Sequence, residues 1–329
     1  MTSLPRDVPL RLRHLAHVVS AYDICLRLEK SLQLAIDNGD DIGNNPVYVR
    51  ILGYLIHYVP TDLGLRKIVE EISSCVDDSA ILAVGQMYYD HYIRAFRANK
   101  AHIPMSNHAS RSSFDRIQEM IDATLQEAPQ SHAQAKKYVL KEMVDLDPST
   151  KGEATQCAHI FSESTNASIE LGSAKREYAA TMWAVMHCFG YEELPDELNG
   201  SKVHRLENVM TLVPGFHRDF DHLNIWFVAT KEMNRYKLEA SDPFFLRSYP
   251  EFVIFTTPDP EKLPVPSPTY LAIHAACAKV AHLSGAAVCI DKFYQDMEDQ
   301  KTLDPNGASA GTLEHAIFEL QAAGYGVTT

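Results

Sequence analysis

Three short pieces in the middle of the chain carry residue types suited to metal-assisted hydrolysis of a phosphodiester: Ala158-His159-Ile160, then Glu207-Asn208-Val209-Met210-Thr211-Leu212, then His217-Arg218-Asp219-Phe220-Asp221. His217 and Asp221 stand four apart, so on a helix both project from one face and can grip one cation together. An imidazole with a carboxylate suits Mg2+, Mn2+ or Zn2+, with water or phosphate oxygens completing the shell. A cation so held would stabilise the charge that builds on a scissile phosphate and its leaving oxygen. His159, an imidazole with an ordinary pKa near ~6.5, could take the proton of an attacking water as general base. Each residue also has a plain reading. A lone histidine in an apolar segment is more often a satisfied core residue, an HxxxD pair a surface hydrogen bond, and an asparagine such as Asn208 a cap or turn. Their occurrence together, in this order, carries the chemical reading.

Other residues enrich the same neighbourhood. Glu163 follows the first piece and His204 precedes the second, and either could complete a metal shell; His187 and His222 are weaker candidates. Met182, Trp183, Met186 and Phe189 recur at helical spacing, which means core packing before it means a pocket wall. Tyr88, Tyr89 and Tyr92 with His91 read as a buried helix face, Asp40-Asp41 as a loop and Asp77-Asp78 as a cap. No Gly-rich phosphate loop, nucleophile elbow or HExxH occurs, so no cofactor-binding motif is assigned beyond the divalent metal.

The elements that must position these residues differ along the chain. Residues 1–147 read as a helical region. In 15–34, Leu15, Val18, Val19, Tyr22 and Leu26 follow the spacing of a one-sided helix; 47–58 is apolar almost all round and so central. Asp77 or Asp78 should cap a helix running to about Phe96. Residues 98–113 read as a long loop, Ser112 with Asp115 as a capping box, and 131–146 as a helix stopping before Pro148. Residues 148–257 change texture: an apolar segment at 157–161, a helix at 173–189, and short segments at 224–229, 236–240 and 252–256 rich in aromatic and β-branched residues, which read as strands. In 258–329, a proline-rich connector leads to helices at 270–283, 287–299 and 312–323.

With the pieces and their order in view, the chain resembles an HNH endonuclease domain, the ββα-metal finger, and more narrowly a group of fungal HNH-domain proteins sharing an "AHI" segment, an "NxxxL…H…FD" segment and a C-terminal helix pair. The resemblance covers roughly residues 152–323, including Pro266-Ser267-Pro268, and reaches weakly into the N-terminal half. It implies that 157–161 is the first strand, 208–213 the loop and second strand, and 217–223 the opening of the helix. It also implies that Asn208 holds the general-base histidine or the finger loop through its side-chain amide. Two departures stand out. Many active members carry an acid or histidine as a further metal ligand just before the base; here that place is Ala158. The Arg-Asp…Arg-Cys…Thr-Gly segment of the fungal group is replaced upstream by residues 141–152, which hold neither the cysteine nor the Arg-Asp pair. The expected fold is therefore α+β, mainly α, with the finger embedded between an N-terminal helical bundle and C-terminal helices, and with His159 and His217 facing one cleft.

Composition restrains the function. Thirty basic against forty-three acidic residues give a formal charge of −13, a poor match to a polyanion, since nucleic-acid binding draws on clustered Lys and Arg. Counted by fifties, only residues 201–250, with seven basic and six acidic side chains, have a net positive balance. No apolar run approaches the roughly 20 residues of a membrane span. Six scattered cysteines without a CxxC read as reduced thiols, as in cytoplasm or nucleus. The first expectation is a divalent-metal-dependent nuclease-like hydrolase, with His159 and Asn208 catalytic and His217 and Asp221 on the metal. The alternatives are an HNH fold recruited to small-molecule cyclisation, elimination or hydrolysis in fungal specialised metabolism, or a non-catalytic binding protein. Nucleic acid and a small molecule are the competing partners; the oligomeric state is open.

Overall fold

The computed structural model describes residues 2–97, 112–124, 155–163, 169, 171, 174–257 and 259–299, and the fold over these is α+β, mainly helical, with two small antiparallel sheets. Most of the expected loop at 98–113, the helix at 131–146, the segment at 141–152 and the helix at 312–323 lie outside the described residues.

The N-terminal helices are α1 (Ala16–Asp37), α2 (Asn45–Tyr58), α3 (Asp62–Ser74), α4 (Asp78–Tyr88) and α5 (Ser112–Thr124). α2 is the central one: Val47, Val49, Ile51, Leu52, Leu55 and Ile56 are all buried, as an apolar circumference requires. α1 buries Val18, Ala21, Tyr22, Cys25, Leu28 and Leu32, while Val19 and Leu26 are only partly covered. Its inner face is thus turned from the sequence expectation toward the row containing Ala21 and Cys25. Side-chain oxygens cap two starts: Thr61 accepts from the Gly64 amide and Asp77 from the Ala80 amide, each satisfying an otherwise unpaired helical N–H. α4 runs on through a wider π-turn at Tyr89–Ile93 into Arg94–Phe96. There Tyr92 is fully buried and stacks edge-on against Phe189, while Tyr88 stacks flat on the same ring. The tyrosine cluster is core.

The segment in which the finger is expected comes next. β1 (Gln156–His159) pairs antiparallel with β2 (Val209–Leu212), with Gln156 opposite Leu212 and His159 opposite Val209. Between them lie α6 (Ala174–Cys188) and α7 (Leu194–Leu198), followed by 3-10 turns at Gly200–His204 and Leu206–Asn208. After β2, Pro214 at the first turn opens α8 (Pro214–Asp221), which packs on β1 and on the second sheet. The strand starts one residue before the apolar run at 157–161 and ends at His159, because Ile160 and Phe161 are held by Asn208 rather than by the ladder. The second sheet is a meander of β3 (Ile225–Ala229), β4 (Arg235–Ala240) and β5 (Phe252–Ile254).

α9 (Pro268–Ser284) lies against both α2 and β3, and α10 (Ala286–Asp299) turns away after Gly285. One continuous apolar core therefore includes residues of the N-terminal helices, β2, α8 and α9. Among the described residues no single helix is long and apolar enough to cross a membrane, and all six cysteines stand as thiols.

Candidate functional site

β1 divides the candidate residues into two groups, because successive side chains of a strand point to opposite faces. Gln156 and Ala158 share the face turned toward α8 and the core; Cys157 and His159 share the other, with Val209 and Leu206 beside Cys157.

On the first face, His217 Nδ1 lies 2.9 Å from Gln156 Oε1, and His217 Nε2 lies 3.4 Å from Asp221 Oδ2. The spacing of four on α8 delivers this pair directly. Both side chains are partly exposed, at 21% and 28%, so the site is reachable from solvent. The amide oxygen of Gln156 can only accept, so the bond at Nδ1 is donated by the ring, while Nε2 is turned toward the Asp221 carboxylate. That is the arrangement a metal-ligating histidine needs, with its second nitrogen held by a neighbour. Ala158 on this face is fully buried, so a longer ligand at its position would have to displace core side chains.

The residues present fit a hard divalent cation bound through a carboxylate oxygen and an imidazole nitrogen with an open shell. They do not make a closed structural site of four protein ligands. Among the described residues, no three His, Cys, Asp or Glu side chains gather as a metal cage.

On the second face, His159 Nε2 lies 3.1 Å from His204 Nδ1, and the His204 Nε2 edge lies 3.9 Å from Glu163 Oε2. Glu163 and His204 thus stand behind His159. His159 leaves β1 on the face opposite to that of Gln156, which meets His217.

Asn208 is fully buried between the two strands. Its Oδ1 accepts from the Phe161 amide at 2.8 Å, and its Nδ2 donates to the carbonyls of Phe161 at 2.9 Å and Val203 at 2.8 Å. Its own carbonyl accepts from the Ile160 amide. All of these bonds go to backbone groups and none to His159. They clamp the chain just before Glu163 to the chain just before His204.

Around this centre, Arg205 forms a bidentate pair with Glu207, at 2.8 and 3.1 Å, and holds that carboxyl below its ordinary pKa range. Arg205 also faces Glu197, which accepts from the Tyr270 hydroxyl at the start of α9. Behind α8, His274 stacks flat on Phe220 at 3.8 Å and its Nε2 reaches the Phe220 carbonyl at 3.3 Å. Burial pushes its pKa down to about 3. It is a neutral core group, and no catalytic role attaches to it. His187 and His222 are not part of either group: His222 Nδ1 bonds the Arg218 carbonyl.

One member of these groups escaped the sequence reading. Gln156 carried no signal beyond standing two residues before Ala158 on the same strand face. His204 was a metal candidate, and its contact with His159 depends on two 3-10 turns that no periodicity announces. Compared with protein-family models, with curated proteins and with solved structures, the chain finds no match in any of the three.

Proposed function

We propose that the protein is a divalent-metal-dependent phosphodiester hydrolase of the HNH type. The observation that supports this reading is the antiparallel pair β1–β2 followed at once by α8, with His159 closing β1 and the His217–Asp221 pair on the helix docked against it. His217 and Asp221 would hold the cation, which when bound supplies positive charge at the phosphate and its leaving oxygen. His159 takes a proton from the attacking water, whose oxygen forms the new bond to phosphorus. The bond to the leaving oxygen breaks, and that oxygen takes its proton from solvent. Gln156 fixes the ring of His217. Asn208 keeps the loop behind His159 in place.

The charge distribution favours a small or loosely held diester over long duplex DNA. Of the basic residues in 201–250, Arg205, Arg218, Arg235 and Lys237 each stand beside a carboxylate, at 3.8 Å or less, so few cations are left to follow a phosphate backbone. The same observation favours the second reading, a finger recruited to small-molecule chemistry. Hydrolysis of bis(p-nitrophenyl) phosphate and of supercoiled plasmid under Mg2+, Mn2+ and Zn2+ tests both. The expected result is metal-dependent cleavage of the small diester, lost in His159→Ala and His217→Ala, with plasmid nicking that is slow and salt-sensitive. No hydrolysis of either probe with any of the three metals would overturn the hydrolase reading.

A further inference from the structure

We propose that His282, His274 and Arg97 are positioning residues that fix the C-terminal end of α8, and with it the carboxylate of Asp221 in its pair with His217. Within the stretch 220–223, three backbone carbonyls are met by side chains from outside the helix. His274 Nε2 reaches the Phe220 carbonyl at 3.3 Å, the Arg97 guanidinium donates to the His222 carbonyl at 3.3 Å, and His282 Nε2 reaches the Leu223 carbonyl at 3.0 Å. The first two of these bonds fall on either side of Asp221. His274 and His282 stand eight apart on α9, a spacing that keeps both on one side of that helix, and Arg97 follows the extension of α4.

α8 needs such a hold. It has 8 residues, too few for a helix to persist without tertiary contacts, and the last carbonyls of any helix lack partners within it. Part of the deficit is met locally: the Leu223 amide donates to the Phe220 carbonyl and the Asn224 amide to the Asp219 carbonyl, the pattern of a helix closed by a left-handed residue. That residue is commonly glycine. Here it is Leu223, with φ at 60° and its side chain fully buried. A strained backbone of this kind persists only where the surroundings over-determine it, and the bond from His282 to the Leu223 carbonyl is one of the contacts that do so. Two of the three donors are uncharged. Burial holds His274 and His282 well below the ordinary imidazole range, so each offers an N–H without setting a second cation beside Arg97, whose own charge is paired with Asp291 on α10. Because a carbonyl oxygen can only accept, both rings carry a proton on Nε2. His217 is meanwhile held from β1 by Gln156. β1 and α9 thus grip α8 from two sides, and together they set the separation of imidazole and carboxylate.

The inference rests on the hydrolase reading for its effect on metal binding; the hold on α8 is a property of the folded protein alone. The test joins nitrogen NMR of the full chain labelled with 15N-histidine to calorimetric titration with Mn2+. In the wild type His274 and His282 should both be Nε2–H tautomers at neutral pH, and the Nδ1–H tautomer at either would overturn the proposal. His282→Met removes the donor at similar size, whereas His282→Gln keeps an N–H at the reach of Nε2. With the fold unchanged by circular dichroism, His282→Met should weaken Mn2+ binding roughly tenfold and shift the ring signals of His217, one helical turn beyond Asp221. His282→Gln should recover most of both. A histidine that served stability alone would lower the melting temperature in either variant and move neither reading. Wild-type affinity and wild-type His217 signals in folded His282→Met, or an equal loss in His282→Gln, would therefore overturn the proposal. If His282→Met does not fold, His282→Asn, whose amide is too short to reach Leu223, takes its place in the comparison. A wild type that binds no Mn2+, with His217 signals that still follow the donor at position 282, would uphold the hold on α8 and remove the metal reading instead.

Discussion

Asn208 commits its whole side-chain amide to backbone groups of two different segments, and it does so with no exposure to solvent. Replacing it by Ala strands one amide N–H and two carbonyls in the interior, each costing about 1–3 kcal/mol if left unmet. Asn208→Ala should therefore lower stability by about 3 kcal/mol, read from urea midpoints at constant m. Asn208→Asp should fare no better, because an acceptor oxygen would face the two carbonyls. Gln156 is the opposite kind of residue: exposed, with one bond that matters, to His217. Gln156→Ala should leave stability within about 0.5 kcal/mol and weaken Mn2+ binding roughly tenfold by calorimetric titration. The sequence made His217 and Asp221 legible because four residues on a helix is a geometric statement. Gln156 and His204 were not legible as partners, since a strand face and a pair of 3-10 turns choose them and neither leaves a spacing to read.

At the level of elements, the helices and strands follow from period and breakers, and most of the boundaries expected for β3, β4, α6, α9 and α10 hold to within a few residues. What period does not encode is how closely elements meet. Gly85 on α4 is such a place: a Cβ built there would lie 2.4 Å from the Tyr48 carbonyl oxygen on α2. The obstacle is backbone, so the two helices would have to separate. Gly85→Ala, which on propensity alone should stabilise a helix, is expected to destabilise the protein by about 1–3 kcal/mol, measured by thermal and urea unfolding. The π-turn at Tyr89–Ile93 and the rotated inner face of α1 escaped the sequence for the same reason, because packing against other elements decides them.

At the scale of the whole molecule, His57, His274 and His282, among the described residues, are held neutral. Burial is the main cause in each, lowering His57 to about 4, His274 to about 3 and His282 to about 4, with Arg11 adding to the effect on His57. Below an ordinary histidine pKa of about 6.5, the unfolded chain takes up protons that the folded chain refuses. Their contribution to stability is thus complete above that pH and is lost as pH falls toward 4. Asp90, raised to about 6 by burial, works the other way between about 6 and its ordinary value. The balance predicts a decline on the order of 2 kcal/mol per pH unit between pH 6 and 4, followed by urea midpoints. His274→Leu should reduce the slope. Because His274 carries the flat stack on Phe220 and the bond to its carbonyl, α8 should loosen early in acid, visible as hydrogen exchange of its amides.

The burial of α2 on every side has a consequence in time. One of its neighbours, α9, begins more than two hundred residues later in the chain. At synthesis rates of about 5–20 residues per second, the surface that α9 will cover stays open on the nascent polypeptide for roughly 10–45 s after α2 has emerged. Throughout that interval the ribosome holds a sticky helix whose partner does not yet exist. Production of soluble protein should depend on a holdase bound near α2 during translation, and arrested nascent chains that end before residue 268 should be captured by one while full-length chains are not.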